Sequence, residues 1–162
     1  MAGKLRIEVF SEKETALLAK ILAPELKKKL SRRKSAFVVG LKGILGSGKT
    51  TFIRYFAKEL GIREKILSPS FLIFKKYPLP LNSKLKTLNS KLYLMHVDCY
   101  RLKRAGELLA LGFKNELANP KNLIMIEWAE KIKGILPKNM LWISIGISGQ
   151  SKRVFTLIDH YH

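Results

Sequence analysis

The eight residues Gly43-Ile-Leu-Gly-Ser-Gly-Lys-Thr50 constrain this chain more than any other stretch. They match G-x-x-x-x-G-K-[ST] at every fixed position. Such a loop needs a strand to deliver it and a helix to begin where it ends. Both are legible. Ala36-Phe-Val-Val-Gly-Leu41 is a short apolar run of strand type, and Phe52, Ile53, Phe56, Ala57 and Leu60 then recur at helical spacing. Gly61 is the expected stop at C′. Glycines let backbone close on phosphate oxygens, and successive N–H groups at a helix start present positive potential to them. The Lys49 ammonium is expected to reach the β- and γ-phosphates, and the Thr50 hydroxyl to hold Mg2+. The Asn-Lys-x-Asp segment usual in guanine-specific GTPases is absent from the sequence, so ATP is expected over GTP.

A phosphate loop needs a carboxylate at the end of a neighbouring strand, and a group that orients the attacking water. Leu92-Tyr-Leu-Met-His-Val97 is an apolar run that ends at Asp98, and Leu123-Ile-Met-Ile126 ends at Glu127. Asp98 and Glu127 are therefore the candidate catalytic carboxylates. A helix cap or a surface acid is the alternative reading of each. His96, two residues before Asp98, is expected to share its strand face, as a packed or surface histidine.

The flanking elements suggest an α/β domain of three layers around a mostly parallel sheet, a P-loop NTPase, with residues 1–162 forming one domain. Glu8 to Phe10 is expected to end a first strand. Ser11-Glu-Lys-Glu14 is a capping-box pattern. Leu17, Leu18, Ile21 and Leu22 follow it at helical spacing, and Pro24 is expected to kink or restart the helix. Pro78 to Lys91, rich in Asn, Ser and Lys, reads as an exposed loop. Leu141–Ile147 and Arg153–Ile158 read as a closing strand pair around the turn Ser148-Gly-Gln-Ser151.

With 162 residues, 47% apolar and 27% charged, the chain has the balance of a globular protein. No apolar run approaches the ~20 residues of a membrane-spanning helix, and no signal-peptide core is present at the start. One cysteine, Cys99, excludes an internal disulfide, and a cytoplasmic setting is expected. The formal net charge of +19 suits a polyanionic partner, with tRNA the natural candidate. Six of the eight positions from Lys27 to Lys34 are basic. A solvated, lysine-rich surface remains the alternative, because a charge run carries no code. No zinc-like cluster is present, and His160 and His162 lie at the terminus.

From these residues three functions stay open: an ATPase, a P-loop kinase with a small acceptor, and a basic RNA-binding protein regulated by ATP. Further motifs separate them. The phosphate loop continues as Thr50-Thr51-Phe52, and Ser68-Pro-Ser-Phe71, His96-Val-Asp-Cys-Tyr-Arg101 and Ile126-Glu-Trp-Ala-Glu130 follow in order. Glu107, Leu111 and Gly112 fit the segment between the last two. In this the chain resembles the TsaE (YjeE) family, bacterial ATPases of tRNA threonylcarbamoyladenosine formation, over about Ser11 to Ile158.

The resemblance implies ATP binding and hydrolysis in company with a TsaB–TsaD heterodimer, with turnover dependent on those partners. It implies a nucleotide-binding set of Ser11, Gly43, Gly46, Ser47, Gly48, Lys49, Thr50, Thr51 and Asp98. Thr50 and Glu127 would hold magnesium, and Asp98 would lie by the γ-phosphate. Ser70 keeps the hydroxyl of the family's threonine. Trp128 is expected near the nucleotide, near a partner or in the core, and Arg101 is a candidate finger. Three features depart from the family pattern: Ile44 in place of its usual acidic residue, the long Pro78–Lys91 stretch, and the charge of +19.

Overall fold

The computed structural model describes residues 3–30, 33–69, 72–80 and 91–161. Ser31 and Arg32 of the basic run, Ser70 and Phe71, most of the Pro78–Lys91 stretch, and His162 lie outside the described residues.

Seven strands form one sheet: β1 (Gly3–Val9), β2 (Phe37–Lys42), β3 (Phe74–Pro78), β4 (Tyr93–Asp98), β5 (Asn122–Glu127), β6 (Leu141–Ile147) and β7 (Arg153–Asp159). Their spatial order is β1-β7-β6-β2-β5-β4-β3. The four central strands, β6, β2, β5 and β4, run parallel. The edges are antiparallel: β3 returns against β4, β7 against β6, and β1 against β7. The sheet is thus mixed, and the parallel character expected from the sequence belongs to its centre. β3 was not legible as a strand, because Phe-Lys-Lys-Tyr-Pro offers little alternation and ends in a proline, which suits only an edge.

Helices α1 (Glu12–Leu30) and α2 (Lys49–Glu59) pack on one face of the sheet; the shorter α3 (Ala105–Ala110), α4 (Phe113–Ala118) and a 3₁₀ helix, Ala129–Ile135, pack on the other. The strand alternation divides the core accordingly. Phe37, Val39, Leu41, Leu94, Leu123 and Met125 face α1 and α2, whereas Val38, Met95, Val97, Ile124 and Ile126 face the short helices. The three-layer α/β arrangement follows.

The capping box forms at the start of α1. The Glu14 N–H donates to the Ser11 hydroxyl at 3.2 Å, and the Glu14 carboxylate accepts from the Phe10 N–H at 2.8 Å. Of the kink or restart expected at Pro24, the restart does not occur: α1 spans 19 residues through the proline. Its buried face is Thr15, Leu18, Ala19, Ala23, Leu26 and Leu30. Leu17 and Ile21 are exposed, so the residues whose helical spacing marks α1 do not all lie on its buried face. α2 buries Phe52, Ile53, Phe56 and Ala57 as read. It ends on Gly61 at φ 85° in a Schellman motif, with Gly61 N–H to Lys58 C=O at 2.9 Å and Ile62 N–H to Ala57 C=O at 3.0 Å.

Among the described residues no helix is long and apolar enough to cross a membrane.

Candidate functional site

Residues 43–50 join β2 to α2 at the C-terminal ends of the parallel strands, the usual side for ligands in such sheets. Gly48 caps α2 in the left-handed region, at φ 101° and ψ 19°, where a side chain would be strained. Gly43 lies under the loop at φ +152°, and a Cβ there would come within 2.6 Å of the Ile145 carbonyl oxygen. The loop therefore folds only with glycine at these positions. Ser47 is buried beside Gly43, and its hydroxyl has no hydrogen-bond partner among the described residues.

Lys49, the first residue of α2, turns back under the loop. Its ammonium donates to the carbonyl oxygens of Gly43 at 2.6 Å and Ile44 at 3.0 Å. The same Nζ lies 4.0 Å from the centre of the Trp128 ring, a cation–π contact. Burial pushes its pKa below the usual lysine range, while the carboxylates of Glu127, Glu130 and Asp98 pull it back up. Three nearby acids thus keep a largely dehydrated cation charged, as a phosphate-binding group must be.

Asp98 and Glu127 end adjacent parallel strands and pair in register. Strand parity turns His96, Asp98 and Glu127 toward α2, beneath its N-terminus. Their partners differ. Glu127 accepts the Thr50 hydroxyl on Oε1 at 2.8 Å and Oε2 at 2.9 Å, and lies 2.8 Å from His96 Nε2. Asp98 accepts from the Ser68 hydroxyl on Oδ2 and from the Tyr100 N–H on Oδ1 at 2.9 Å. The two acids are therefore not equivalent: Glu127 belongs with Thr50, and Asp98 faces the Ser68 segment.

Two cavities meet at the loop. One, of about 380 Å³, is lined by Gly48, Lys49, Thr50, Thr51, Ser68, Asp98, Tyr100, Arg101, Glu127 and Trp128 among others. The second, of about 350 Å³, shares Gly46, Gly48 and Thr51 with it and continues over Ser11, Glu12, Thr15, Gln150, Ser151 and Arg153. The structure thus brings every residue of the assigned set to the loop or to a cavity that opens on it. Arg101 lines the first cavity, as a finger candidate should.

Sequence reasoning missed several groups. It did not single out the Ser68 hydroxyl, which donates to Asp98; Ser70, which keeps the hydroxyl of the family's threonine, lies outside the described residues. It read His96 as packed or at the surface, without its contact to Glu127. Trp128, expected near the nucleotide, near a partner or in the core, packs partly against the core. It is half-buried in the left-handed conformation at φ 57°, next to Tyr100 and over Lys49. The Gln150–Arg153 turn was read as a mere hairpin connection, and no signal in its composition pairs it with Ser11.

The oxygen donors suit magnesium. Thr50 and Glu127 supply hard ligands beside a phosphate loop, and magnesium is ordinarily held by one or two carboxylates together with phosphates and waters. Among the described residues there is no cluster of three or more His, Cys, Asp or Glu side chains that would form an all-protein metal cage.

Comparison with known proteins agrees with the motif pattern. The family model described as threonylcarbamoyl adenosine biosynthesis protein TsaE matches residues 9–155. The tRNA threonylcarbamoyladenosine biosynthesis protein TsaE of Rickettsia felis is 37% identical over 151 residues, covering 93% of this chain and 77% of that protein. The Bacillus subtilis protein of the same name is 35% identical over 138 residues, covering 82% and 79%. The crystal structure of YdiB from Bacillus subtilis superposes with a TM-score of 0.71 at 30% identity, covering 98% of this chain and 87% of that one.

Proposed function

The chain belongs to the TsaE family, and from that membership we propose that it is the ATP-binding and ATP-hydrolysing member of the machinery that forms threonylcarbamoyladenosine in tRNA. It works as one P-loop NTPase domain in the cytoplasm, on a TsaB–TsaD heterodimer that carries out the transfer. The observation that supports this most is the Thr50–Glu127 pair beside the buried Lys49 ammonium.

In this reading the triphosphate lies along Gly46–Thr50, with the loop N–H groups and Lys49 as donors. The nucleoside extends into the cavity over Ser11, Thr15 and Gln150. Thr50 donates its hydroxyl hydrogen to Glu127, so its oxygen lone pairs and the Glu127 carboxylate would hold magnesium, which would supply positive charge against the charge that develops on the phosphate oxygens. Asp98, held by Ser68 and the Tyr100 N–H, stands across from Glu127 and orients the attacking water. Arg101 stabilises transition-state charge once the partner proteins seat it.

The test is steady-state phosphate release by the chain alone and with a TsaB–TsaD pair, together with tRNA modification followed over several turnovers. The expected result is slow release alone and faster or modification-coupled release with the pair. An arginine brought onto the transition-state charge is worth about 10³–10⁵ in rate. Fast hydrolysis that ignores the pair, with modification unaffected, overturns the assignment.

A further inference from the structure

His96 is the buried polar side chain at this site whose contact the mechanism above does not use. It is fully enclosed on the α2 face of β4, one pleat below Asp98. Its Nε2 lies 2.8 Å from Glu127 Oε1. A carboxylate offers only acceptor lone pairs, so the imidazole carries its hydrogen on Nε2 and donates it. Nδ1 is buried with no hydrogen-bond partner among the described residues. The ring thus gives up hydration at one nitrogen and keeps a single hydrogen bond, to the acid that also receives Thr50. An apolar residue would fill the position without leaving a nitrogen unsatisfied, as Leu94 does one pleat earlier on the same face.

The two restraints on Glu127 are not alike. Thr50 sits where the loop becomes α2, beside the phosphates, and its oxygen is wanted by the same ion. His96 comes from inside the sheet, on a strand whose register already sets Asp98 opposite Glu127. Its contact with Glu127 involves no residue of the loop. It also divides the two oxygens: among the described residues Oε1 accepts from both His96 and Thr50, whereas Oε2 accepts from Thr50 alone.

We propose that His96 is a positioning residue that fixes the Glu127 carboxylate with Oε2 as the metal-facing oxygen and so sets the affinity of the nucleotide-loaded chain for magnesium. This rests on the magnesium–nucleotide reading of the site.

The intact chain and its His96→Leu, His96→Gln and His96→Asn variants are compared by calorimetry with a non-hydrolysable ATP analogue, first in EDTA and then across a magnesium titration. Glutamine returns an N–H donor near the place of Nε2; leucine has none, and asparagine is too short to reach Glu127. His96→Leu is expected to bind the analogue like wild type in EDTA. It should require about 10–100-fold more magnesium to reach the tight complex, the usual effect of removing an outer partner of a metal ligand. His96→Gln is expected to stay close to wild type. A wild-type magnesium requirement in folded His96→Leu overturns the proposal, as does a glutamine variant as impaired as leucine. Where the leucine variant does not fold, the asparagine variant carries the same expectation. Failure of both to fold makes His96 a core requirement and overturns the positioning role. If wild type itself shows no magnesium effect, the magnesium–nucleotide reading fails. If wild type responds and the variants match it, only this inference fails.

Discussion

Glu127 and Thr50 are 77 positions apart in sequence, yet both carboxylate oxygens of Glu127 accept the Thr50 hydroxyl, at 2.8 and 2.9 Å. Asp98, paired with Glu127 across the strands, makes no such contact and turns to Ser68 and the Tyr100 N–H. The pairing predicts a division of labour. Glu127→Gln and Asp98→Asn keep shape and lose charge, and both are expected to bind nucleotide while hydrolysing it far more slowly in the full assembly. Only Glu127→Gln should also raise the magnesium requirement. Phosphate release measured against magnesium concentration separates them. Equal magnesium dependence in the two variants would contradict the assignment.

Lys49→Ala is expected to fold and to lose most nucleotide affinity. Lys49 is 5% exposed, and its ammonium is held against the loop by two loop carbonyls. Hydrogen bonds to a charged group contribute about 1.5–3 kcal/mol each, so affinity should weaken by about one to two decades. Calorimetry with magnesium-ATP measures this. Unchanged affinity in a folded variant would remove Lys49 from the site.

The loop was legible in the sequence because its constraints are local. Glycine at Gly43 and Gly48 answers to backbone geometry, and the apolar runs before Asp98 and Glu127 mark buried central strands regardless of their neighbours. Contacts made across strands were not legible. His96 could be placed on the face of Asp98 by parity, but its partner depends on the β4–β5 register, which only the folded sheet sets. The Ser11 cavity closes against Gln150 and Arg153 from the far end of the chain, for the same reason. The helical spacing of Leu17, Leu18, Ile21 and Leu22 marked α1 but not its inner face, where Ala19 and Ala23 are buried and Leu17 and Ile21 lie outside.

Stability should decline in alkali. Burial pushes the Cys99 thiol and the Tyr161 phenol up, each to about 12. Both folded values lie above the ordinary ones, so each group contributes its full stabilisation below its unfolded pKa and loses it as pH rises through the folded one. The window runs from about pH 9 to about pH 12, with a loss of up to about 1.4 kcal/mol per pH unit for each group. Tyr161 also accepts from the Val38 N–H at 2.7 Å and donates to the Val38 C=O at 3.1 Å. Tyr161→Phe should therefore cost about 1–3 kcal/mol at neutral pH and flatten the alkaline decline. Denaturant midpoints from pH 7 to 11 check both expectations, and a steeper decline in the variant would reverse the sign argued here.

The basic run from Lys27 to Lys34 is expected to bind tRNA independently of ATP. α1 begins at the cavity beside Gly46 and runs 19 residues away from it, about 28 Å at 1.5 Å per residue, so the run lies at the opposite end of the sheet from the phosphate loop. Parts of it already have structural duties. Lys29 pairs with Asp159 at 2.9 Å, and the Arg33 guanidinium stacks over Phe37 and Tyr161. Lys28 pairs with Glu25, an exposed contact that contributes little. Reversing Lys27, Lys28 and Lys34 to glutamate therefore alters the field while sparing Lys29 and Arg33. Phosphate contacts give a log–log salt slope of about −0.7 to −0.9 each, so the triple variant should bind tRNA more weakly and flatten the slope by about two to three. Its ATP affinity should equal that of wild type, because the loop is far away. Filter binding of tRNA across a salt series, with ATP calorimetry beside it, decides the matter. An unchanged tRNA slope would leave the run as solvated surface, and a parallel loss of ATP affinity would show that the two ends are not independent.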